Sequence, residues 1–294
     1  MLQVAGLAPR LLNDASENVV NFIHSRFDPK TGSYLGRDNH PDLYYVIFAL
    51  SCLRALKAEI PQDEVFNYLE NHSDQEQISK MDCVTVSSLA RAYTLLPDKQ
   101  MRDDLAELIF QRLQAFQSQD GAFHNHQENA KSGTPYGSFL VLGAYQDLDH
   151  ELPDSEPIIK NIKSLEREPG IFANEAHITQ GIITVSAAAL AVLRVLQSPI
   201  DEQSAIDSIL QYAYKNGGFF ASKMTPMPDL LSTATALHAL SGLNYDFNHI
   251  REAQLDFVDT LWSSRGAFHG NWADEILDCE YTFYGLLALG HLSL

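Results

Sequence analysis

The chain has few cysteines and few cationic side chains for its length of 294 residues. Cys52, Cys83 and Cys279 are scattered and form no Cys-x-x-Cys pair, which argues against a disulfide framework and favours a reducing compartment. Only 20 Lys and Arg residues stand against 38 Asp and Glu, so the formal net charge is −18. Because a negative field of this size repels phosphate backbones at long range, we expect no nucleic-acid partner.

Long hydrophobic runs are also missing, and we expect no secretory leader, because the first residues form only a weak apolar stretch without a basic segment. Residues 182–193 form the longest apolar run, but Thr184 and Ser186 interrupt it, and it is shorter than the roughly 20 residues that a bilayer requires. We therefore expect no membrane span and a cytoplasmic location. Phosphate-binding loops, dinucleotide fingerprints, serine nucleophile elbows and HExxH zinc motifs are absent as well. Two tryptophans are few for the aromatic platforms of a sugar-binding groove.

What the sequence does contain is an internal repeat in which a glycine is followed two positions later by an aromatic residue. Gly121, Gly170, Gly217 and Gly266 lie 47 or 49 residues apart. Gly32 lies 89 residues before Gly121, nearly two periods, so one intervening unit lacks the motif. The chain therefore divides into six units of about 49 residues.

Each unit predicts two helices. An amphipathic helix precedes the glycine, as in residues 103–113, and a helix that is apolar almost all round follows it. The predicted apolar helices cover residues 43–56, 136–145, 182–196, 230–243 and 281–292, and the unit without the motif opens a similar segment at residues 82–90. A helix without a polar face must be enclosed by protein.

Six enclosed helices and six amphipathic ones predict an all-α fold, a single (α/α)6 toroid domain over residues 1–294. In this closed double ring of about twelve helices, the apolar set forms the inner layer. The alternative is an open helical solenoid, whose inner helices would present a polar concave face. The motif glycines are expected in loops that need positive backbone angles after each outer helix.

Three segments of the repeat resemble known sequence motifs. Residues 117–123, QSQDGAF, are similar to the QxxxGxW/F repeat of squalene–hopene cyclases. Residues 217–219, GGF, followed by Asp229, resemble the GGF…D repeat of protein prenyltransferase β subunits, and residues 27–45 look like an early repeat of the Rab geranylgeranyltransferase β chain. The resemblance covers nearly the whole chain. It implies the prenyltransferase and terpenoid-cyclase toroid superfamily, in which the central cavity holds an isoprenoid chain.

The zinc site of the protein prenyltransferases is not retained in this resemblance. Those enzymes use an Asp-x-Cys on one inner helix and a His at the head of the next. Here Asp229 matches the Asp, whereas Leu231 and Tyr281 stand at the Cys and His positions. Since zinc needs three or four converging Cys, His or carboxylate donors, we expect no zinc there and assign no metal ligand.

The class II terpene cyclases imply a different chemistry, protonation of an alkene by an acid in an Asp-x-Asp-Asp motif at an inner helix head. Residues 278–281 retain two of the motif's acids, Asp278 and Glu280, at the required spacing, whereas residues 229–232 retain only the first, Asp229. A carboxylic acid can act in this way only if burial holds a proton on it. The predicted catalytic set is Asp278, Glu280 and Asp229. The string Asp147-Leu-Asp149-His150 lies at the far end of its helix.

Aromatic side chains recur near the heads of the inner helices and are candidates for contact with an apolar substrate. Such rings bury apolar area and stabilise carbocations, although at helical spacing they are also typical of ordinary core. The predicted substrate-binding residues are His40, Tyr44, Tyr45, Tyr136, Tyr281 and Phe283. Phe48, Phe139 and Tyr284 share the pattern.

The acids at the helix heads have an alternative role as N-caps, which accept backbone N–H bonds. If the ring closes, helix heads from its two ends become neighbours, and their donors leave a relocated zinc or iron site open. These donors are His40, Asp42, Asp82, Cys83, Asp278 and Cys279. His124 and His126 form a separate candidate pair of metal ligands. We expect Cys52 to be an inert core residue and Cys279 to be the more exposed thiol.

The sequence thus predicts an isoprenoid-acting enzyme that binds a prenyl chain centrally and transfers or cyclises it. The alternative is a non-catalytic binding or scaffold protein that retains the toroid without zinc. Only Arg37, Lys80 and Lys223 lie near the expected rim, which is few for a diphosphate. The expected partners are an isoprenoid or other apolar small molecule and, by resemblance to the prenyltransferases, a helical partner subunit.

Overall fold

The computed structural model describes residues 1–152 and 154–294. Fifteen α-helices and one 3₁₀ turn account for most of this part of the chain. The helices are α1 (Leu2–Ala5), α2 (Pro9–Leu12), α3 (Ala15–Ser25), α4 (Leu43–Ala55), α5 (Gln62–Glu70), α6 (Gln75–Lys80), α7 (Cys83–Thr94), α8 (Asp103–Gln114), α9 (Pro135–Asp147), α10 (Glu156–Ser164), α11 (Ile183–Val195), α12 (Glu202–Leu210), α13 (Leu230–Gly242), α14 (Arg251–Thr260) and α15 (Cys279–Leu292), and the 3₁₀ turn is Phe247–His249.

Six of these helices form a closed inner ring. Helix α4 packs on α7, α7 on α9, α9 on α11, α11 on α13 and α13 on α15, and α15 returns to pack on α4. The outer layer consists of α3, α5, α8, α10, α12 and α14. Helix α3 precedes the first inner helix, and each of the other five lies in the chain between two successive inner helices. The (α/α)6 toroid is therefore confirmed, and the open solenoid alternative is wrong.

The inner helices are the apolar segments of the repeat. Residues 43–56 become α4 and residues 182–196 become α11, each within a residue of the predicted bounds. The helix predicted for residues 281–292 begins two residues earlier in the structure, at Cys279, because Asp278 caps α15. The capping residue takes an extended conformation and accepts a first-turn N–H, and this capping geometry sets the first helical residue.

The outer helices bury one face and expose the other. In α10 the buried residues are Ile158, Asn161 and Ile162, and in α12 Ile206 and Ile209 are among them. This three-to-four-residue spacing is the amphipathic pattern that the sequence shows. The outer layer therefore covers the inner ring with a single apolar stripe per helix.

The motif glycines form the turns between the layers. Gly32, Gly121, Gly170, Gly217 and Gly266 all have positive φ, between 72° and 95°. The aromatic residue that follows each glycine is buried beneath its turn. At Gly266 a Cβ would also lie 2.0 Å from the Asn18 carbonyl oxygen of the first unit, so only glycine fits. The predicted positive backbone angles are confirmed.

Short β-pairs around three of these turns were not predicted. Strand β1 (Phe27–Asp28) pairs antiparallel with β2 (Ser33–Tyr34), β3 (Glu166–Glu168) with β4 (Ile171–Phe172), and β5 (Trp262–Ser263) with β6 (Ala267–Phe268). Each is only two or three residues long, too short for an alternating pattern to be visible in the sequence. The second unit has the short helix α6 instead, which explains why it lacks the glycine motif.

The short helix α1 packs against α15 and α4, at the seam where the ring closes. A Cβ on Gly290 would lie 2.0 Å from the Val4 carbonyl oxygen, so α1 and α15 approach backbone to backbone. Among the described residues, no helix is both long and apolar enough to cross a bilayer.

Candidate functional site

The heads of the inner helices gather on one rim of the ring. Neighbouring units are joined there by backbone bonds, for example from Ile183 N–H to the Ala221 carbonyl and from Leu230 N–H to the Gly270 carbonyl. The four rim aspartates all act as N-caps, as the alternative interpretation of these residues holds. The carboxylate-to-nitrogen distances are 2.9 Å for Asp42 to Tyr44, 2.7 Å for Asp82 to Thr85, 2.7 Å for Asp229 to Ser232 and 2.8 Å for Asp278 to Tyr281.

Asp278 has both carboxylate oxygens engaged. Its Oδ1 accepts the Tyr281 N–H, and its Oδ2 accepts the Arg37 Nε–H at 2.6 Å. Arg37 also binds Asp274, so one guanidinium joins two acids. The Asp278 side chain is fully buried, and burial raises its pKa against the opposing effect of Arg37. These two N–H donors leave Asp278 poorly placed to donate a proton.

Glu280, two residues further along α15, lies in a different environment. Burial raises its pKa to about 7, and the Tyr44 hydroxyl, which donates to Oε1 at 2.7 Å, only partly offsets this. The nearby Asp278 charge raises the pKa further. No other hydrogen bond to this carboxyl is formed by the residues that the structure describes. Glu280 is therefore a carboxylic acid that stays protonated up to about pH 7, and its second oxygen has no hydrogen-bond partner among the described residues.

Aromatic side chains from several inner helices surround this acid. Tyr44 packs edge-on against Phe48 at 5.0 Å between ring centroids, and Phe48 contacts Phe283 and Tyr284 at 5.9 and 5.7 Å. Burial, followed by the Glu280 carboxylate, raises the pKa of Tyr136 to about 12. Tyr136 belongs to α9, which lies opposite α15 in the ring. The two side chains therefore approach each other across the ring interior.

A cavity of about 450 Å³ opens beside this cluster on the same rim. It lies at the heads of α11, α13 and α15, and Asp229 and Tyr281 both reach it. Burial raises the pKa of Asp229, and its two oxygens accept the N–H and the hydroxyl of Ser232. The lining residues are Thr184, Ala221, Thr225, Pro226, Met227, Asp229, Leu231, Ser232, Asn271 and Tyr281.

This cavity contains all three positions at which the resemblance places zinc ligands. Asp229, Leu231 and Tyr281 line it together. Leu231 offers no donor, and burial raises the pKa of Tyr281 to about 12, which disfavours a phenolate ligand. The residues present do not fit zinc. The space that the metal would occupy is lined instead by a leucine, a phenol and a capping carboxylate.

The relocated metal site also finds no support in the side chains. The described part of the chain contains no group of three or more His, Cys, Asp or Glu residues able to hold a metal ion. The prediction that Cys279 is the more exposed thiol is wrong. Cys52, Cys83 and Cys279 are all fully buried, and burial raises the pKa of each. Helix α4 packs on α15 at this point, where the Cys52 thiol donates to the Cys279 carbonyl, and this burial outweighs the place of Cys279 at a helix head.

The remaining predicted contacts divide into two groups. Tyr45 packs against Tyr44 at 5.5 Å, and burial raises its pKa, as does the charge of Asp278. Phe283 is buried within the aromatic cluster. His40 is exposed in the turn before α4, where its backbone is bonded to Gly36 and to the Asp38 side chain. The structure brings the tyrosines to Glu280 but leaves His40 on the outer surface.

Several side chains at the site were not predicted. Asp274 binds Arg37 although 237 residues separate them, a contact that exists only because the ring closes. Thr184, Thr225 and Asn271 line the cavity but carry no recognisable signal in the sequence. The acidic string that begins at Asp147 lies at the opposite end of α9, as expected, where Asp147 binds Arg91.

A closed ring of six inner helices, with a buried acid bonded to a phenol in its interior, defines the class of protein, an α/α toroid. The sequence matches the family of the prenyltransferase alpha-alpha toroid domain over residues 2–88, 77–196 and 179–292. The chain therefore belongs to this family. No curated protein matches the sequence.

Solved structures share the fold at low sequence identity. The type II terpene cyclase MstE from Scytonema, as a variant in complex with geranylgeranyl dihydroxybenzoate, aligns with a TM-score of 0.66 and 12% identity over 97% of both chains. Cellobiose 2-epimerase from Bacillus thermoamylovorans aligns at 0.67 and 14%, covering 96% of this chain and 99% of that one. An alpha-1,6-mannanase from Salegentibacter aligns at 0.58 and 15%, covering 95% and 98%. At these identities the likeness concerns the fold alone.

Proposed function

We propose that this protein binds a prenyl chain in the ring interior and cyclises it by protonation of a carbon–carbon double bond. The observation that carries the proposal is Glu280, whose pKa of about 7 leaves a substantial fraction of this carboxyl protonated at neutral pH within a cluster of aromatic rings. Membership of the prenyltransferase alpha-alpha toroid family supports the prenyl substrate class. The ligand named for the terpene cyclase MstE, geranylgeranyl dihydroxybenzoate, is of the same chemical class.

In the proposed step, the O–H of Glu280 donates its proton to one alkene carbon, and the π electrons form the new C–H bond. The other alkene carbon becomes a carbocation, and a second double bond of the same chain attacks it to close a ring. Loss of a proton to water ends the reaction and leaves an isomer of the substrate. Glu280 regains a proton from solvent.

The aromatic cluster has two roles in this mechanism. The faces of Tyr44, Phe48, Tyr136 and Tyr284 bury the apolar chain and stabilise the carbocation through their ring quadrupoles. The Tyr44 hydroxyl donates to Glu280 Oε1 at 2.7 Å, which orients the acid and stabilises the carboxylate left after proton transfer. Asp278, fixed by Arg37, positions the first turn of α15, and Asp229 lies at the rim rather than beside the acid.

Prenyl transfer to a cysteine is less well supported. That reaction, as the prenyltransferase resemblance implies it, uses zinc to activate a thiol, and the cavity at Asp229, Leu231 and Tyr281 does not fit the metal. The non-catalytic scaffold remains the second candidate. It requires no proton on Glu280, so the raised pKa of this residue favours the enzyme. A helical partner subunit and a cytoplasmic location stay predictions.

The proposal is tested by incubating the purified protein with geranylgeraniol in D₂O and analysing extracts by gas chromatography and mass spectrometry. Since Glu280 exchanges its proton with solvent, a cyclised product should carry one deuterium at the protonated carbon. Glu280→Gln should lower product formation at least 100-fold, because an amide cannot supply the proton. The wild-type rate should fall as the pH rises through about 7.

Glu275→Gln is the matched control, because Glu275 is exposed on the rim five residues away. It should retain the wild-type rate. Equal product formation by the Glu280→Gln variant would refute the role of this acid. Absence of any deuterated cyclic product from geranylgeraniol, geranylgeranyl diphosphate and squalene would favour the scaffold alternative.

A further inference from the structure

We propose that the rim cavity binds the polar end of the ligand and that this end is an uncharged hydroxyl group, not a diphosphate. The inference rests on the proposed function for the prenyl chain and adds the identity of its head group. The cavity of about 450 Å³ shares Tyr281 with the head of α15, one residue from Glu280. A chain whose head lies there can extend directly into the aromatic cluster.

The charges around the cavity disfavour a diphosphate. Among the residues that the structure describes, no Lys, Arg or His lines the cavity, and Asp229 supplies a carboxylate. The three rim cations are each already paired: Arg37 with Asp274 and Asp278, Lys80 with Glu76, and Lys223 with Glu168. A diphosphate would enter a half-buried site beside a like charge, in a chain of net charge −18. Burial of an anion without a cation is unfavourable.

The polar groups of the cavity suit a hydroxyl. Within the described part of the chain, the Thr184 and Tyr281 hydroxyls and the Asn271 Nδ2 form no hydrogen bond to protein. Asp229 accepts from Ser232 on each oxygen, and each oxygen keeps a second lone pair. A ligand hydroxyl could donate to the carboxylate and accept from the phenol or the amide. Leu231 and Met227 would contact the first carbons of the chain.

The same arrangement explains what replaces zinc in this chain. Leu231 and Tyr281 remove two metal ligands and leave one apolar and one hydrogen-bonding surface. Zinc at these positions would activate a thiol, as the prenyltransferase resemblance implies, whereas a neutral hydroxyl needs only donors and acceptors at fixed positions. In the proposal the cavity is therefore a head-group site that activates no thiol.

The test measures binding to the full-length Glu280→Gln variant, so that no ligand is consumed. Isothermal titration would use geranylgeraniol, geranylgeranyl diphosphate and geranylgeranylamine, all in the same non-ionic detergent. We expect the alcohol to bind at least 10-fold more tightly than the diphosphate. Adding Leu231→Arg should reverse this order by placing a cation in the cavity. Val195→Arg adds the same charge at an exposed position on α11 and should leave the order unchanged.

The outcomes separate the two proposals. Diphosphate binding as tight as that of the alcohol would overturn the head-group assignment and leave the prenyl site intact. Tightest binding of the amine would also overturn it, in favour of a cationic head paired with Asp229. If none of the three binds, the prenyl site itself is refuted. If the Leu231→Arg variant does not fold, Asp229→Asn takes its place, because asparagine still caps α13 but carries no charge. This variant should reduce the ratio of alcohol affinity to diphosphate affinity at least threefold.

Discussion

The two acids at the start of α15, Asp278 at the cap and Glu280 in the first turn, differ in the charge state that their surroundings favour. The difference lies in the groups that face them. Asp278 caps the helix and binds Arg37, so its charge is satisfied where it is buried. Glu280 faces Tyr44 and the aromatic cluster, where a phenol is its hydrogen-bond partner. Burial without a cation favours the neutral acid, and burial with one favours the ion. The pair therefore divides into an anion held by Arg37 and, in the proposed reaction, a proton donor.

The raised pKa of Glu280 predicts a pH-dependent loss of stability. The folded protein holds this proton up to about pH 7, whereas the unfolded chain releases it near 4.5. Well below pH 4.5 the Glu280 carboxyl is protonated in both the folded and the unfolded chain. As the pH rises from about 4.5 to about 7, only the unfolded chain loses the proton, so folding becomes less favourable. Glu280→Gln removes this penalty. Urea unfolding should show the variant gaining about 2 kcal/mol over wild type at pH 8 and much less at pH 5.

Glu275→Gln again serves as the control, because it makes the same substitution at an exposed position five residues away. A constant difference between Glu280→Gln and wild type across pH 5 to 8 would mean that Glu280 titrates normally. The scaffold alternative would then gain support.

At this scale the sequence predicted Glu280 as a candidate acid but did not predict its surroundings. Glu280 and Tyr44 were both predicted site residues. The first turns of their helices lie side by side because the ring closes. Arg37 was noted only as a rim cation, and its binding to Asp274 and Asp278 depends on contacts between opposite ends of the chain. Burial of Cys279 was missed for the same reason, since α4 covers it from the first inner helix.

At the scale of helices and turns, capping determines where each inner helix begins. Asp42, Asp82, Asp229 and Asp278 occupy the same position in four units. The repeat therefore supplies carboxylates at one rim for structural reasons, and function needs only a change in their surroundings. This is why the helix bounds could be predicted within a few residues while the roles of the acids could not.

The Arg37 contacts predict a specific double-mutant result. Arg37→Gln should destabilise the protein by about 2 kcal/mol at pH 7, because it leaves the buried Asp278 charge without its cation. Adding Asp278→Asn should restore much of this loss, since asparagine still caps α15 and carries no charge. Chemical denaturation of the two single variants and the double variant measures the coupling. Simple additivity of the two losses would show that Arg37 does not compensate the Asp278 charge.

At the scale of the whole molecule, the ring closes through contacts between its first and last units. Helix α15 packs on α4 and α1, and the Gly266 turn lies against Asn18 near the start of the chain. Because the ring closes, each of the six described inner helices packs against two inner neighbours. In an open solenoid the terminal helices would expose an apolar face, and such proteins cover it with polar capping repeats. The 49-residue period, repeated six times with apolar inner helices, made this architecture predictable before any contact was known.

Gly266→Ala should therefore loosen the closing seam before it affects the rest of the ring. The new methyl group would meet the Asn18 carbonyl at 2.0 Å and the residue would be held at a φ of 86°, so we expect about 3 kcal/mol of destabilisation. Gly143→Ala is the control, because its nearest neighbour lies at 3.6 Å and alanine favours the helix.

Thiol labelling locates the opening. Cys52 and Cys279 lie at the contact between α4 and α15, whereas Cys83 lies on α7, away from that seam, and all three are fully buried. In the Gly266→Ala variant, Cys52 and Cys279 should react with a thiol reagent at least 10-fold faster than in wild type, while Cys83 changes little. Peptide mapping by mass spectrometry resolves the three sites. Equal acceleration at all three thiols would indicate global unfolding and would show that closure is not a separable element of this fold.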